Sequence, residues 1–389
     1  MTFLMKTRSV NSIAGFSLIE LMVSSTIGLL LLAALTTVFV NSSQTQKEQQ
    51  KSMQQIENGR YALDVISQDL RHAGFYGQFY NLPPLTAATI AMPAALPNPC
   101  ATDATSLLNA LPLPVQEYNN PATSPIACLD NANYLANTDI LVIRRASTAV
   151  LPTSSSPLDN EVYMQSNPPS VEIQIGKHSA NLASQKADGN AVDIFKKDGT
   201  TPADIRKYHV HIYFISPCSV PTGPATANAP ATCQSTDDGG TPIPTLKRLE
   251  LTAGPTMNLV PLVEGIENLQ IDYGVDDTPN VPSSTGFLGD GAPDCYDTDP
   301  GSGTNTGISP AAGCSAGNPG SVTAWSEVVT AKVYLLARNP QTTPGYSDAK
   351  TYNLGLDFPT VGPKNDRYKR HLFEAVVRLN NSGSRREAP

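Results

Sequence analysis

"AGFSLIELMVSSTIGLLLLAALTTVFV" (residues 14–40) carries a single charge, Glu20, in an otherwise uncharged and largely apolar run. From Phe16 to Val40 the run is long enough to cross the hydrocarbon core of a bilayer as one helix. The preceding residues, MTFLMKTRSVNSIAG (1–15), contain Lys6 and Arg8 and no acid, and a basic flank of this kind predicts a cytoplasmic N-terminus. A secretory signal would have a shorter core followed by a small-x-small cleavage site. Here the small residue, Gly15, comes before the core, so a cut there removes a leader and keeps the membrane helix. A carboxylate at the centre of a membrane helix costs about 2.5–3.5 kcal/mol on insertion scales. Glu20 is therefore expected to have a partner.

After Val40 the sequence turns polar, NSSQTQKEQQKSMQQIENGRYALDVISQDLRHAGFYG (41–77). Met53, Ile56, Leu63, Ile66, Leu70 and Ala73 recur at helical spacing, which predicts one apolar face on a continuing amphipathic helix over 41–76. No proline interrupts residues 16–73, and Gly74 stands where a helix stop is expected. Gly59 is a weak point where the helix is expected to bend or melt. Arg60, Asp64, Asp69 and Arg71 read as a solvated helix face.

The remainder, 77–389, reads as one β-rich globular domain. Candidate strands are 139–145, 161–165, 171–175, 208–215, 246–252, 266–273, 327–337 and 371–379, several of them alternating polar and apolar residues. The Asp-Gly pairs at 188–189 and 198–199 read as turns. Segments 80–135, 216–245 and 278–320 read as loop insertions. The six cysteines fall into three sequence-local pairs, Cys100–Cys128, Cys218–Cys233 and Cys295–Cys314, each within one of these segments. That pattern fits disulfides in an oxidising compartment. Charged residues make up only 15% of the chain and the net charge is −8, which argues against a nucleic-acid partner.

The stretch GFSLIELMV (15–23) resembles the N-terminal signal of type IV prepilins and pseudopilins. The resemblance implies cleavage between Gly15 and Phe16 by a membrane-embedded prepilin peptidase, N-methylation of Phe16, and a role for Glu20 in assembly. Cleavage would give Phe16 a positive amine one helical turn from Glu20, able to pair with it in the same or a neighbouring chain. The stretch ENGRYALDVISQDLRHAGFYG (57–77) narrows the likeness to pilus-assembly protein W. So do LVPLVEGIENLQIDYGVD (259–276), WSEVVTAKVYLLAR (325–338) and DRYKRHLFEAVVRLNN (366–381). The fold implied is α+β and pilin-like: a long N-terminal helix packed on a mainly antiparallel sheet domain with long insertions.

Catalytic constellations are weak. No H-E-x-x-H, Walker A or G-x-S-x-G motif is present, and no enzymatic activity or cofactor is expected. His209 and His211 share one side of a strand, without an evident third metal ligand. The acid-rich loop with Asp290, Asp294, Asp297 and Asp299 offers calcium-type oxygen ligands but lacks EF-hand spacing, and the same holds for Asp272, Asp276 and Asp277. Trp325 with Tyr334 imitates a sugar platform, although a lone Trp opening a strand is more often core.

The resemblance implies a minor pilin of type IV pilus assembly or priming, supporting adhesion and twitching motility. It would sit as a single-pass inner-membrane protein with a periplasmic C-terminal domain, and then in the pilus, near its tip. Its partners would be the prepilin peptidase, other minor pilins, the major pilin and a tip adhesin. The alternatives are a J-type minor pseudopilin of type II secretion, which is typically shorter, and a tip lectin or enzyme carried on a pilin stem.

Overall fold

The computed structural model describes residues 15–80, 82, 90–151, 160–175, 194–225, 230–276, 289–301 and 322–386. Residues 1–14, Cys314, Asp277 and the Asp-Gly pair at 188–189 lie outside them. Contacts divide the chain into residues 1–53 and residues 54–389.

Helix α1, Leu18–His72, is unbroken. Its portion in the first unit exposes its apolar side chains on every face, from Leu18, 78% exposed, to Val40, 45% exposed.

In the second unit the end of α1 buries Gln55, Gly59, Ala62, Ile66, Ser67, Asp69 and Leu70. This face differs from the expected stripe, because Met53 is 68% exposed and Ile56 is also exposed. The reason is steric. Gly59 is buried and a Cβ there would overlap the Phe373 ring, so the closest approach to the sheet needs the smallest residue rather than the largest. Gly59 is thus a packing position inside a continuous helix, not a bend. The helix ends where expected, with Gly74 at φ +71°.

Among the described residues eleven strands follow, all paired antiparallel. They are β1 Val115–Tyr118, β2 Ile140–Ala146, β3 Val162–Ser166, β4 Val171–Ile175, β5 Ile205–Ser216, β6 Thr245–Thr252, β7 Thr256–Glu264, β8 Ile266–Val275, β9 Cys295–Asp297, β10 Val328–Arg338 and β11 Arg370–Arg378. Strands β1 to β7 form one sheet centred on β5. One edge of β5 pairs β2; its other edge is shared end to end by β3, over Ile205–Lys207, and β6, over His211–Ser216. The second sheet has the order β11-β10-β8-β9. The chain passes from one sheet to the other at Gly265, which has φ +80°, a conformation that disfavours side chains.

One core packs Ala62, Ile66 and Leu70 of α1, with Ala73 just after it, against Leu141, Ile143, Tyr213 and Ile215 of the first sheet and Leu269, Ile271, Val333, Leu335 and Phe373 of the second. Each such aliphatic or aromatic side chain contributes about 1.5–3 kcal/mol on full burial. A second core covers the opposite face of the first sheet. There Tyr76, Phe79, Leu107, Leu111, Ile126 and Leu129 pack on Val142, Val210, Ile212 and Phe214. Segment 80–135 is therefore not merely an insertion: it carries a short helix, Ala104–Asn109, and strand β1, and roofs the sheet. Because β5 is buried on both faces, its sequence YHVHIYFIS lacks clean alternation.

Disulfides join Cys100 to Cys128 and Cys218 to Cys233, as expected. Of the third expected pair, Cys295 is buried at the start of β9 and Cys314 lies outside the described residues.

Candidate functional site

Two regions of α1 bear on function. At its start Gly15, Phe16 and Ser17 precede the helix. Ser17 caps it: its carbonyl accepts from the Leu21 N–H at 3.2 Å, its Oγ accepts from the Glu20 N–H at 3.3 Å, and its own N–H donates to Glu20 Oε2 at 3.1 Å. This reciprocal pair is a capping box. Glu20 is therefore used locally, accepting from the Ser17 N–H, and the Gly15–Phe16 bond is left outside the helix.

The rest of the apolar segment is internally satisfied. Ser24, Ser25, Thr26, Thr36 and Thr37 return their hydroxyl hydrogens to carbonyls three or four residues earlier, at 2.7–3.2 Å. A segment in lipid must satisfy its polar groups this way. Mean hydropathy over its best window reaches 2.2. Glu20 is the segment's one charged side chain, and it is exposed.

At the other end of α1, Asp69 is 5% exposed and accepts three hydrogen bonds. Arg145 Nε on β2 donates to Oδ1 at 2.6 Å. Tyr213 OH on β5 donates to Oδ2 at 2.8 Å, and His211 Nδ1 on β5 lies 2.6 Å from Oδ2. Burial alone would raise the Asp69 pKa, but His211 and Arg145 together hold it well below the usual carboxylate range. Asp69 is thus not part of a solvated face. It is a buried polar anchor tying α1 to the first sheet. A signal was present in the sequence: Asp69 stands three residues after Ile66 and four before Ala73, on the edge of the buried stripe.

A cleft of about 280 Å³ opens beside this anchor, lined by Gln68, His72, Arg145, Thr148, Tyr213 and Arg248 among others. Arg248 donates to Glu250 Oε2 at 2.6 Å, so each of the cleft's two guanidinium groups is paired with an acid. His209 and His211 rings lie 5.4 Å apart. Burial, then the neighbouring His211, Arg145 and Lys207, push the His209 pKa down to about 3.

The other residues singled out in the sequence separate. Asp290 and Asp294 are exposed, whereas Asp297 is buried and accepts from the Asp299 N–H at 3.1 Å. Asp272 accepts from Tyr334 OH at 3.1 Å and from the Leu356 N–H at 3.1 Å; Asp276 accepts from the Gly291 N–H at 2.9 Å. Trp325 is buried edge-on against Tyr273, in the core, and Tyr334 belongs to a separate apolar cluster with Leu336 and Leu354. Among the described residues one group brings three metal-type ligand atoms together, Cys218, Cys233 and Asp237, and its two cysteines form a disulfide.

Residues 233–381 match the family described as Type IV Pilus-assembly protein W, and residues 10–36 match the prokaryotic N-terminal methylation motif. No curated protein and no solved structure matches the chain. The two matches lie at opposite ends of the sequence and together support a type IV pilus minor pilin, a structural component rather than a member of a known enzyme family. The apolar helix and the methylation motif support single-pass membrane anchoring with a C-terminal domain.

Proposed function

We propose that this type IV pilus minor pilin is made as an inner-membrane precursor, cut between Gly15 and Phe16 by the prepilin peptidase, N-methylated on Phe16, and drawn into the pilus or its priming complex. In this reading residues 1–15 are the leader, 16–40 the membrane half of the helix, 41–76 its amphipathic half and 77–389 the periplasmic domain. Its partners are the peptidase, other minor pilins, the major pilin and a tip adhesin, and its assembly supports adhesion and twitching.

The observation that carries the proposal is the pairing of an exposed, internally satisfied apolar helix with one carboxylate near its cleavable start. Lipid satisfies the apolar face, but it offers Glu20 no counter-charge. The freed Phe16 amine of a neighbouring subunit does. Glu20→Ala is expected to be processed normally and to drop out of complexes pulled down with other pilins. Normal incorporation of that variant would overturn the assignment of Glu20. Unchanged piliation after deletion of the gene would overturn the assignment to pilus assembly.

A further inference from the structure

A pocket of about 300 Å³ opens beside β8 and β10 of the second sheet, and it shares no lining residue with the cleft beside Asp69. Its apolar wall is Leu135, Leu336, Phe358 and Val361, with the exposed Ala136 next to them. The backbone of this wall is fixed. The Leu135 N–H donates to the Ile215 carbonyl at 2.8 Å, Tyr352 and Val361 exchange two backbone bonds at 2.8 Å, and the Leu354 N–H donates to the Phe358 carbonyl at 2.9 Å. Phe358 and Val361 also pack on the cluster of Leu336, Tyr352 and Leu354. The pocket is therefore preformed, and its volume lies at the lower end of the range for small-molecule sites.

The polar groups lining it divide into spent and unspent. Thr138 Oγ1 donates to the Leu135 carbonyl at 2.7 Å. Glu267 gives both carboxylate oxygens to Arg370, at 2.7 and 3.3 Å. Asn268 Oδ1 accepts from Gln270 Nε2 at 2.9 Å, which leaves the Asn268 amide hydrogens available. Lys364 is exposed and has neither a hydrogen bond nor an ion pair among the described residues. Asp366, two positions on, is held by Arg370 at 2.6 Å. A second exposed and unpaired lysine, Lys350, is pressed against the same loop, since a Cβ on Gly362 would stand 2.6 Å from its carbonyl oxygen. The unspent groups are thus donors, and the unbalanced charge is positive. In the cleft beside Asp69, by contrast, each guanidinium is paired with an acid.

The apolar wall asks for an apolar body, and the ammonium and amide donors ask for an anionic acceptor. A neutral hydrocarbon would leave those donors to water alone. A polyhydroxy acid would carry hydroxyl groups onto a wall with nothing to bond them. We propose that this pocket binds a small organic monocarboxylate with a compact apolar body, its carboxylate on Lys364 and Asn268 and its body against Leu336, Phe358 and Val361.

The test uses the full-length chain in detergent micelles, with protein-free micelles as the baseline for each ligand. Cyclohexanecarboxylate, cyclohexylmethanol and glucuronate are titrated separately at matched ionic strength, followed by saturation-transfer NMR and by the unfolding midpoint. Cyclohexanecarboxylate is expected to bind with a dissociation constant of about 1 mM or tighter, and the other two about tenfold more weakly. Ala136→Trp fills the pocket from an exposed position and is expected to abolish binding. Lys364→Met, also at an exposed position, should bring the acid down to the level of the alcohol. Absence of cyclohexanecarboxylate binding above the baseline would overturn the proposal. So would unchanged binding in Ala136→Trp, or glucuronate binding as tight as cyclohexanecarboxylate. If Lys364→Met keeps the parent's preference for acid over alcohol, the placing of the carboxylate on Lys364 falls.

Discussion

Asp69 on α1 and His211 on β5, 142 positions apart in the chain, meet at 2.6 Å in a place closed to water. Arg145 and Tyr213 complete the acceptor's shell. Removing one member of a buried ion pair strands the other charge, which costs about 3–5 kcal/mol. Asp69→Asn is therefore expected to lower the unfolding free energy of the full chain by about that amount, measured by urea denaturation in micelles. A double-mutant cycle with Arg145→Gln should show strong coupling. A loss below about 1 kcal/mol would mean that water reaches the anchor.

The same anchor sets an acid limit. Asp69 has a depressed folded-state pKa, so its contribution is complete above the ordinary carboxylate value near 3.8 and is lost as pH falls through the folded value. His209 acts in the same direction from a higher starting point. The unfolded ring takes a proton near 6.5 and the folded ring only at about 3, so stability declines as pH falls across that interval. His209→Gln should flatten the pH dependence of the urea midpoint between about 6.5 and 3. An unchanged slope would place the responsible groups elsewhere.

Helix α1, eight of the eleven strands and the first two disulfides can be read from the sequence, because each rests on local pattern: a long apolar run, alternation, or paired cysteines in one loop. What escapes is set by distant partners. β7 contains Pro261 and is half exposed, so its alternation is blurred. β1 and β9 are only four and three residues long. The buried stripe of α1 contains Gln55, Gly59 and Asp69 in place of large apolar residues, since the surface it meets supplies carbonyls, an aromatic ring and cations. Gln55 Nε2, for example, donates to the Ala337 and Lys369 carbonyls at 2.7 and 3.0 Å.

Gly59 yields the cleanest steric test. Adding a methyl group gains about 1 kcal/mol of helix propensity, but it drives a Cβ into the Phe373 ring. Overpacking a core usually costs about 1–3 kcal/mol. Gly59→Ala should thus be neutral to destabilising in thermal denaturation, and Gly59→Ala with Phe373→Leu should recover stability relative to Phe373→Leu alone. A stabilised Gly59→Ala single variant would show that the helix can lift from the sheet without loss.

Arg370, at the start of β11, holds three acids at once. Its Nε donates to Glu267 at 2.7 Å, Nη1 to Asp348 at 2.9 Å and Nη2 to Asp366 at 2.6 Å. Burial would lower its pKa, but the bonds to Asp366, Glu267 and Asp348 hold it above the ordinary value. Asp348 is fully buried and also accepts from the Tyr346 and Tyr352 hydroxyls. The guanidinium thus ties residues 346–366 back to the second sheet. Arg370→Ala leaves Asp348 charged and short of its cation, and should cost about 3–5 kcal/mol, whereas Arg370→Met with Asp348→Leu should recover most of that loss. Arg370→Lys keeps the charge but cannot reproduce the planar fork, and its midpoint should fall between the two. If Arg370→Lys unfolds at the parent's midpoint, the fork geometry contributes nothing beyond the charge; if it unfolds with Arg370→Ala, the charge without the fork contributes nothing. If Arg370→Ala matches the parent chain, the three carboxylates are solvated without it.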